Sequence, residues 1–568
     1  MDIRIPLGTA AVALLLLPLG LQLYNSTTLT PDLPEPRQAI AVPVPPPAES
    51  DRTRQAAPVP GLSRFPADMA MESMSILPPV QFIEPTGDSF AGFEEQRQKV
   101  VAEDPVSTFS IDVDTASYAY VRRTLEDGFL PQRDAVRVEE MINYFPYDYP
   151  AAQSAEAPFQ PMLKVYPTPW NDRTQLLQIG IRGFEPPPAD RRSNLVFLID
   201  TSGSMNAPDK LPLLKRAFAL LLDQLSDDDT VSIVTYAGAA GVALEPTPAG
   251  RKATIMAAID RLQAGGSTAG AQGIELAYRL AEQGRIGEGT NRVILATDGD
   301  FNVGIDDPEA LGHFIADKRR GGIGLSVLGF GRGNLDDATM QALAQNGDGN
   351  ASYIASFAEA RKVLVEEVGG TLHTIARDVK IQVEFNPAAV SEYRLIGYET
   401  RALNREDFNN DAVDAGDIGA GTTVTALYEI VPAGSDGGLV DPLRYGAETP
   451  RGDSDEIAFL RMRYKLPRGD ASQLVEMPVT ADMVYGGIAD AGPDAQFAAS
   501  VAAFGQKLRS SAYGAGMGWD EIAALARAGR GDDRGGYRAE FIRLVETAAL
   551  LGPETGPAGC GIGGDVCQ

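Results

Sequence analysis

The sequence is poor in the residues that build nitrogen- and sulfur-ligated metal sites. Its 568 residues include only two histidines, His313 and His373, and two cysteines, Cys560 and Cys567. A mechanism that needs several histidines is therefore excluded. The cysteine pair is an unsuitable zinc site, because zinc takes about four ligands and no histidine lies nearby in the sequence. In an oxidising compartment the pair can form a short disulfide loop, and otherwise it remains two thiols.

Positive charge is also scarce. The chain carries 49 Lys and Arg residues against 77 Asp and Glu residues, and its formal net charge is −28. Nucleic acid is therefore excluded as a partner, because binding to phosphates needs a basic face. The length exceeds what one ordinary core supports and predicts two or three domains.

The first part of the chain predicts export. An apolar run from Leu7 to Leu23 follows Arg4, and its length suits either a signal peptide or an uncleaved membrane anchor over residues 1–24. The basic residue before the run and acidic residues after it predict that the body lies outside the cytoplasm. We expect it at the periplasmic side of the inner membrane or free in the periplasm. Residues 25–95 are rich in proline and predict a disordered linker.

The remaining sequence changes its periodicity several times. In its middle, continuous apolar strands alternate with amphipathic helices, which predicts a doubly wound, mostly parallel α/β sheet. Alternating strands on both sides predict a β-sandwich into which the α/β unit is inserted, and a small helical group follows. The predicted segments are 96–190 (N-terminal segment), 194–369 (α/β domain), 375–480 (β-rich domain), 481–552 (helical region) and 553–568 (cysteine-containing tail).

Polar side chains follow the buried strands of the predicted α/β sheet. The stretch NLVFLIDTSGSMN ends a strand on Asp200, and Ser202 and Ser204 follow in the turn. Thr268 lies in the glycine-rich stretch GGSTAG, and Asp298 ends the strand VILATD. The carboxyl ends of parallel strands meet at one edge, so these five side chains can converge there. Such oxygen donors suit Mg²⁺, or alternatively Ca²⁺ or Mn²⁺, although Ser and Asp also cap helices without any metal.

These motifs resemble the von Willebrand factor A (VWA) domain. Its metal-ion-dependent adhesion site (MIDAS) has the form DxSxS, a distant Thr and a distant Asp, in the order found here. The resemblance implies that a divalent ion binds a ligand carboxylate in adhesion or assembly. The stretches STFSIDVDTASYAYVRR, VRVEEMINYFPYDYP and GYRAEFIRLVE extend the resemblance to exported bacterial YfbK-type proteins, over roughly residues 95 to 550.

Three functions compete on this basis. The leading hypothesis is a metal-dependent binding module that grips an Asp or Glu of a protein partner. A metal-assisted hydrolase is the alternative, but the sequence has no evident general base or nucleophile–base pair, so we do not expect an enzyme. In a third interpretation the VWA domain is a structural scaffold whose ion only braces its loops.

Other aspartates could hold Ca²⁺ but do not match the EF-hand loop, and solvated turns are the better interpretation. They are Asp112, Asp114, Asp411, Asp414 and Asp417.

Overall fold

The structure is a computed structural model of the chain. It describes residues 88, 90–187, 192–266, 270–287, 289–299, 308–331, 336–367, 370, 372–440, 455–467, 469, 471–514 and 516–552. The predicted signal or anchor, the cysteine-containing tail and most of the proline-rich linker lie outside these residues. No helix within the described ranges combines the length and the apolar character that a membrane crossing requires.

Strands and helices alternate in the middle of the chain, and strands dominate on either side. In the described residues the strands are β1 (Lys99–Val100), β2 (Val106–Ser110), β3 (Met162–Thr168), β4 (Asn171–Arg182), β5 (Ser193–Asp200), β6 (Thr230–Tyr236), β7 (Ala240–Pro248), β8 (Thr290–Thr297), β9 (Gly324–Phe330), β10 (Ala351–Ile354), β11 (Thr374–Phe385), β12 (Val390–Ile396), β13 (Ala402–Leu403), β14 (Ile418–Gly419), β15 (Thr423–Pro432), β16 (Glu456–Lys465) and β17 (Ser472–Thr480). The α-helices are α1 (Ala116–Glu126), α2 (Val138–Asn143), α3 (Leu211–Leu222), α4 (Lys252–Asp260), α5 (Gly270–Gln283), α6 (Pro308–Arg320), α7 (Asp337–Asn346), α8 (Phe357–Arg361), α9 (Pro493–Leu508), α10 (Trp519–Ala528) and α11 (Tyr537–Leu551).

The central α/β domain is built on one sheet with the strand order β10-β9-β8-β5-β6-β7. Neighbouring strands are parallel except β7, which lies antiparallel to β6 at the edge. Every residue of β5 is buried, as expected of an apolar strand that is covered on both faces. Leu214 and Phe218 of α3 pack on one face, and Ile274 and Tyr278 of α5 pack on the other. The predicted doubly wound, mostly parallel sheet is confirmed.

Two antiparallel sheets form a sandwich outside the α/β domain. Their strand orders are β1-β12-β15-β4-β3 and β13-β2-β11-β16-β17. Strand β2, from before the α/β domain, pairs with β11 from after it, and β4 likewise pairs with β15. Phe109, Ile179, Ile381 and Tyr428 share the core between the sheets. The α/β domain is therefore inserted into the sandwich, as predicted from the sequence.

The C-terminal helices form the predicted helical group together with α2 of the N-terminal segment. Helices α9, α10 and α11 share a core with the region around α2. Phe145, Phe497 and Phe541 meet edge to face in this core, with ring centroids 4.8, 5.6 and 5.3 Å apart in the three pairs. The N-terminal segment therefore contributes β2 to the sandwich and α2 to the helical group.

The aspartates of the sequence FSIDVDT are buried, which corrects the expectation of a solvated turn. Asp112 and Asp114 are 4% and 3% exposed, and Arg401 binds both carboxylates at 3.0 and 3.1 Å. Arg401 comes from the sandwich and lies far away in sequence, so the local pattern does not reveal the pairing. The other three aspartates also have partners, which are Arg463 for Asp411, Arg319 for Asp414 and the backbone N–H of Asp378 for Asp417.

Candidate metal centre

Asp200 ends the central strand of the α/β sheet and is fully buried. It lies between β6 and β8, at the carboxyl edge where ligands of such sheets bind. Its Oδ1 accepts a hydrogen bond from the backbone N–H of Ser202 at 2.7 Å. Its Oδ2 accepts one from the hydroxyl of Thr297 at 3.4 Å. These bonds fix the carboxylate at the start of the DxSxS turn.

The two serines of the turn bring their hydroxyls together. Ser202 Oγ and Ser204 Oγ are 2.9 Å apart, and Ser204 is exposed while Ser202 is buried. Two adjacent ligands of an octahedral Mg²⁺, at 2.0–2.1 Å from the ion, lie about 2.9 Å apart. The spacing therefore fits two neighbouring ligands of such an ion as well as a hydrogen bond between the hydroxyls.

Asp298 follows the neighbouring strand β8 and is also buried. Its Oδ2 accepts a hydrogen bond from Lys210 Nζ at 2.9 Å. Gly299 comes next, with φ +105°, a region that favours glycine. The backbone N–H of Gly299 donates to the hydroxyl of Thr297, which itself binds Asp200. The ends of β5 and β8 are thus linked directly through Thr297.

Thr268 lies outside the described residues, so its place in the site stays a prediction. The glycines before it are described and touch the DxSxS turn. Gly265 N–H donates to the carbonyl of Thr201 at 2.8 Å, and Gly203 N–H donates to the carbonyl of Gly266 at 3.2 Å. Gly266 has φ +93°. The loop that leads to Thr268 therefore runs beside Ser202 and Ser204.

Burial is the main influence on the acidity of Asp200. The pKa of Asp200 is raised to about 6, mainly because burial removes water from the carboxylate and in part because of the nearby charge of Asp298. The hydrogen bonds from Ser202 act in the opposite direction, because they favour the ionised carboxylate. At neutral pH Asp200 is therefore mostly ionised, in a site that a positive charge would stabilise.

Lys210 is a residue of the site that the sequence did not predict. It lies in the turn just before α3, is 5% exposed, and its ammonium group binds Asp298. A lysine after a polar turn is typical of solvent-exposed positions, so the local pattern gave no signal of this ion pair. The one signal for the Lys210–Asp298 pair was that the DxSxS turn and Asp298, from another strand, were predicted to meet at the same edge of the sheet.

The set of donors limits the kind of metal that fits. Within the ranges that the structure covers, no three His, Cys, Asp or Glu side chains come together as metal ligands. The groups that meet at the edge around Asp200 are hydroxyl and carboxylate oxygens. Oxygen donors of this type suit hard divalent cations such as Mg²⁺, Ca²⁺ and Mn²⁺.

Comparisons with known proteins match family models to three parts of the chain. A family model described as "von Willebrand factor type A domain" matches residues 194–366, and another described as "von Willebrand factor" matches residues 84–178. A third, "Uncharacterized protein YfbK, C-terminal", matches residues 370–551. VWA domains are protein-interaction modules, and they often bind a divalent ion at their MIDAS.

Individual relatives extend the similarity along the chain. "Uncharacterized protein YfbK" of Escherichia coli is 48% identical over 469 residues, which is 80% of this chain and 80% of that protein. "Uncharacterized protein sll0103" of Synechocystis is 32% identical over 30% of this chain and 40% of its own length. A solved structure, "von Willebrand factor type A from Catenulispora acidiphila", is 18% identical with a TM-score of 0.38, and covers 67% of this chain and 88% of that one. From the extent and identity of the match to the Escherichia coli protein, the chain belongs to the YfbK family of bacterial VWA-domain proteins.

Proposed function

We propose that this chain is a metal-dependent protein-binding module. Its VWA domain would hold an Asp or Glu carboxylate of a partner protein through a divalent ion. The ion would be bound by Asp200, Ser202, Ser204, Thr268 and Asp298. The observation that carries the proposal is the pair of serine hydroxyls, 2.9 Å apart, beside a buried carboxylate at the strand edge.

Mg²⁺ is the ion that we favour, with Ca²⁺ or Mn²⁺ as substitutes. Mg²⁺ is small, prefers octahedral oxygen ligands and usually keeps several waters. Three hydroxyls, with waters oriented by the two carboxylates, leave room for one ligand from outside. The exposed position of Ser204 supports access by a partner from the solvent.

We further propose that the module acts outside the cytoplasm. The support is the apolar run over residues 7–23 with a basic residue before it. The body would then stand at the periplasmic face of the inner membrane, or in the periplasm if the leader is removed. The net charge of −28 argues against a nucleic-acid partner.

We assign no catalytic step to the site. The groups described around Asp200 are hydroxyls, the carboxylate of Asp298 and the ammonium group of Lys210, which is bound to Asp298. None of them is a histidine of the kind that most often acts as a general base. Their chemistry supports the binding of an ion and of an anionic ligand.

Affinity capture from detergent-solubilised envelope tests the proposal. The wild-type chain with Mg²⁺, the wild type with EDTA and the Asp200→Asn variant are compared. Asp223→Asn is the matched control, because Asp223 is exposed and forms a surface pair with Lys252. We expect the same partner in the wild-type Mg²⁺ and Asp223→Asn samples, and its loss in the other two. A partner kept in all four samples would refute metal-dependent binding, and cell fractionation of the tagged chain would test export separately.

A further inference from the structure

A lysine stands inside the candidate metal centre. Lys210 lies directly before α3, and the motif residues Asp200, Ser202 and Ser204 precede it by six to ten positions. Its side chain is almost inaccessible to solvent, and its Nζ lies 2.9 Å from Asp298 Oδ2. The buried carboxylate that the ion would use therefore already has a positive partner from the same chain.

The fold makes room for this lysine at a specific glycine. Gly331 directly follows β9 and has φ +75°. A Cβ atom at this position would overlap the Cγ, Cδ and Cε atoms of Lys210. The carbonyl of Gly331 is held by the hydroxyl of Tyr353 at 2.7 Å. The aliphatic part of Lys210 thus packs against the backbone of Gly331, where any side chain would collide with it. The fold therefore fixes the position of the lysine.

The formal charges of the site explain what such a lysine can do. Asp200 and Asp298 supply two negative charges, and the ammonium group of Lys210 cancels one of them. A divalent ion then leaves the site with one net positive charge in a poorly solvated edge, which is unfavourable. One carboxylate from outside would restore neutrality. Without the lysine, the two aspartates alone would neutralise the ion.

We infer that Lys210 is a built-in counter-charge that weakens the binding of a divalent ion until an acidic ligand binds with it. This inference rests on the proposed metal site and gives Lys210 a role in it. The lysine makes the ion and the ligand carboxylate bind cooperatively, because each relieves the charge imbalance that the other leaves. The thermodynamic coupling is reciprocal, so the acidic ligand also needs the ion.

Isothermal titration of the full chain with Mg²⁺ at pH 7 tests this inference. Titrations are run in chloride and in acetate of equal ionic strength, with acetate as the simplest carboxylate ligand. The variants are Lys210→Met, Asp200→Asn and Lys215→Met. Lys215 is the matched control because it lies on α3, which Lys210 directly precedes, and its Nζ binds the backbone carbonyls of Asp260 and Leu262.

Four results are expected. In chloride, Lys210→Met binds Mg²⁺ at least about tenfold more tightly than the wild type, because one buried positive charge is removed. Acetate tightens Mg²⁺ binding to the wild type and has a smaller effect on Lys210→Met. Lys215→Met behaves as the wild type, and Asp200→Asn loses Mg²⁺ binding.

The possible failures can be told apart. Equal or weaker Mg²⁺ binding by a folded Lys210→Met variant, together with the loss of binding in Asp200→Asn, would overturn the role of Lys210 and leave the metal site in place. Unchanged binding by Asp200→Asn would instead overturn the metal site itself. If Lys210→Met does not fold, as judged by circular dichroism, the absence of an acetate effect in the wild type would still overturn the inference.

Discussion

Glu139 is a buried acidic residue of the N-terminal segment. It lies on α2 and is fully inaccessible to solvent, and neither of its carboxyl oxygens has a hydrogen-bond partner among the residues that the structure covers. Gly397, with φ +79°, packs against it so closely that a Cβ there would lie 2.5 Å from Glu139 Oε2. The nearby charged groups include Glu399 and Asp112, which are both acidic. We therefore expect Glu139 to keep its proton at neutral pH.

The pKa of Glu139 determines the direction and the size of its effect on the free energy of unfolding. This pKa is raised from 4.5 to about 8, mainly by burial and in part by the charges of Glu399, Asp112 and Glu140. Between these two values the unfolded chain releases the proton while the folded chain keeps it, so the free energy of unfolding falls as the pH rises. The stabilisation is complete below pH 4.5 and is lost as the pH rises through 8. At 1.36 kcal/mol for each pKa unit, the loss is at most about 5 kcal/mol.

We predict that Glu139→Gln is more stable than the wild type at pH 8, by several kcal/mol at most, and that the difference shrinks towards pH 5. Glutamine has nearly the same shape and cannot ionise. Urea unfolding is followed by tryptophan fluorescence, because Trp170 and Trp519 both pack in the core that contains α2. Exposed Glu275 on α5 provides the control Glu275→Gln. A Glu139→Gln variant that is equally or less stable than the wild type at pH 8 would refute this reasoning.

Two further substitutions test the contacts around the N-terminal segment. Arg401→Met leaves the buried carboxylates of Asp112 and Asp114 without their cation. We therefore expect the free energy of unfolding, measured in urea, to fall by about 3–5 kcal/mol. A loss below about 1 kcal/mol would mean that the two carboxylates find other partners. Gly397→Ala combines a positive φ with overlap onto Glu139, and we expect a loss of about 1–3 kcal/mol or more in the same assay. Gly434→Ala is the control, because Gly434 has a similar φ of +82° but open space around it. This variant should lose less free energy of unfolding than Gly397→Ala. Equal losses would show that the contact with Glu139 does not contribute to the cost of Gly397→Ala.

The α/β domain was predictable because its signals are local and strong. Apolar strands that are buried on both faces are continuous in sequence, and the helices between them carry one apolar face. The position of Asp200 follows from the same pattern, since it ends such a strand. Strand β7 gave no comparable signal, because its sequence contains Pro246 and Pro248. It lies at the edge of the sheet, where a proline removes no hydrogen bond that the sheet requires.

The contacts between distant segments were not predictable in the same way. The sequence brings Asp200, Ser202 and Ser204 together by spacing alone, but it does not reveal that Lys210 binds Asp298. Pairs of this kind depend on how loops from different strands meet, and a charged residue in a turn has the same appearance whether it is solvated or buried. For the same reason, the sequence did not predict that Asp112 and Asp114 are buried and bound to the distant Arg401.

The insertion of the VWA domain into the sandwich has a consequence for the order in which the protein can fold. Strand β2 and the pair β3–β4 are synthesised before the VWA domain, but their partners β11 and β15 come after it. About 190 residues separate β4 from β11, which corresponds to roughly 10–40 s of translation at about 5–20 residues per second. During this time β2 has no strand to pair with, and the VWA sequence is complete before β11, β15 and β16 have been made. Newly made chains therefore pass through a stage with one finished domain and an open, half-made sandwich, which is the stage at which a chaperone would have most to protect.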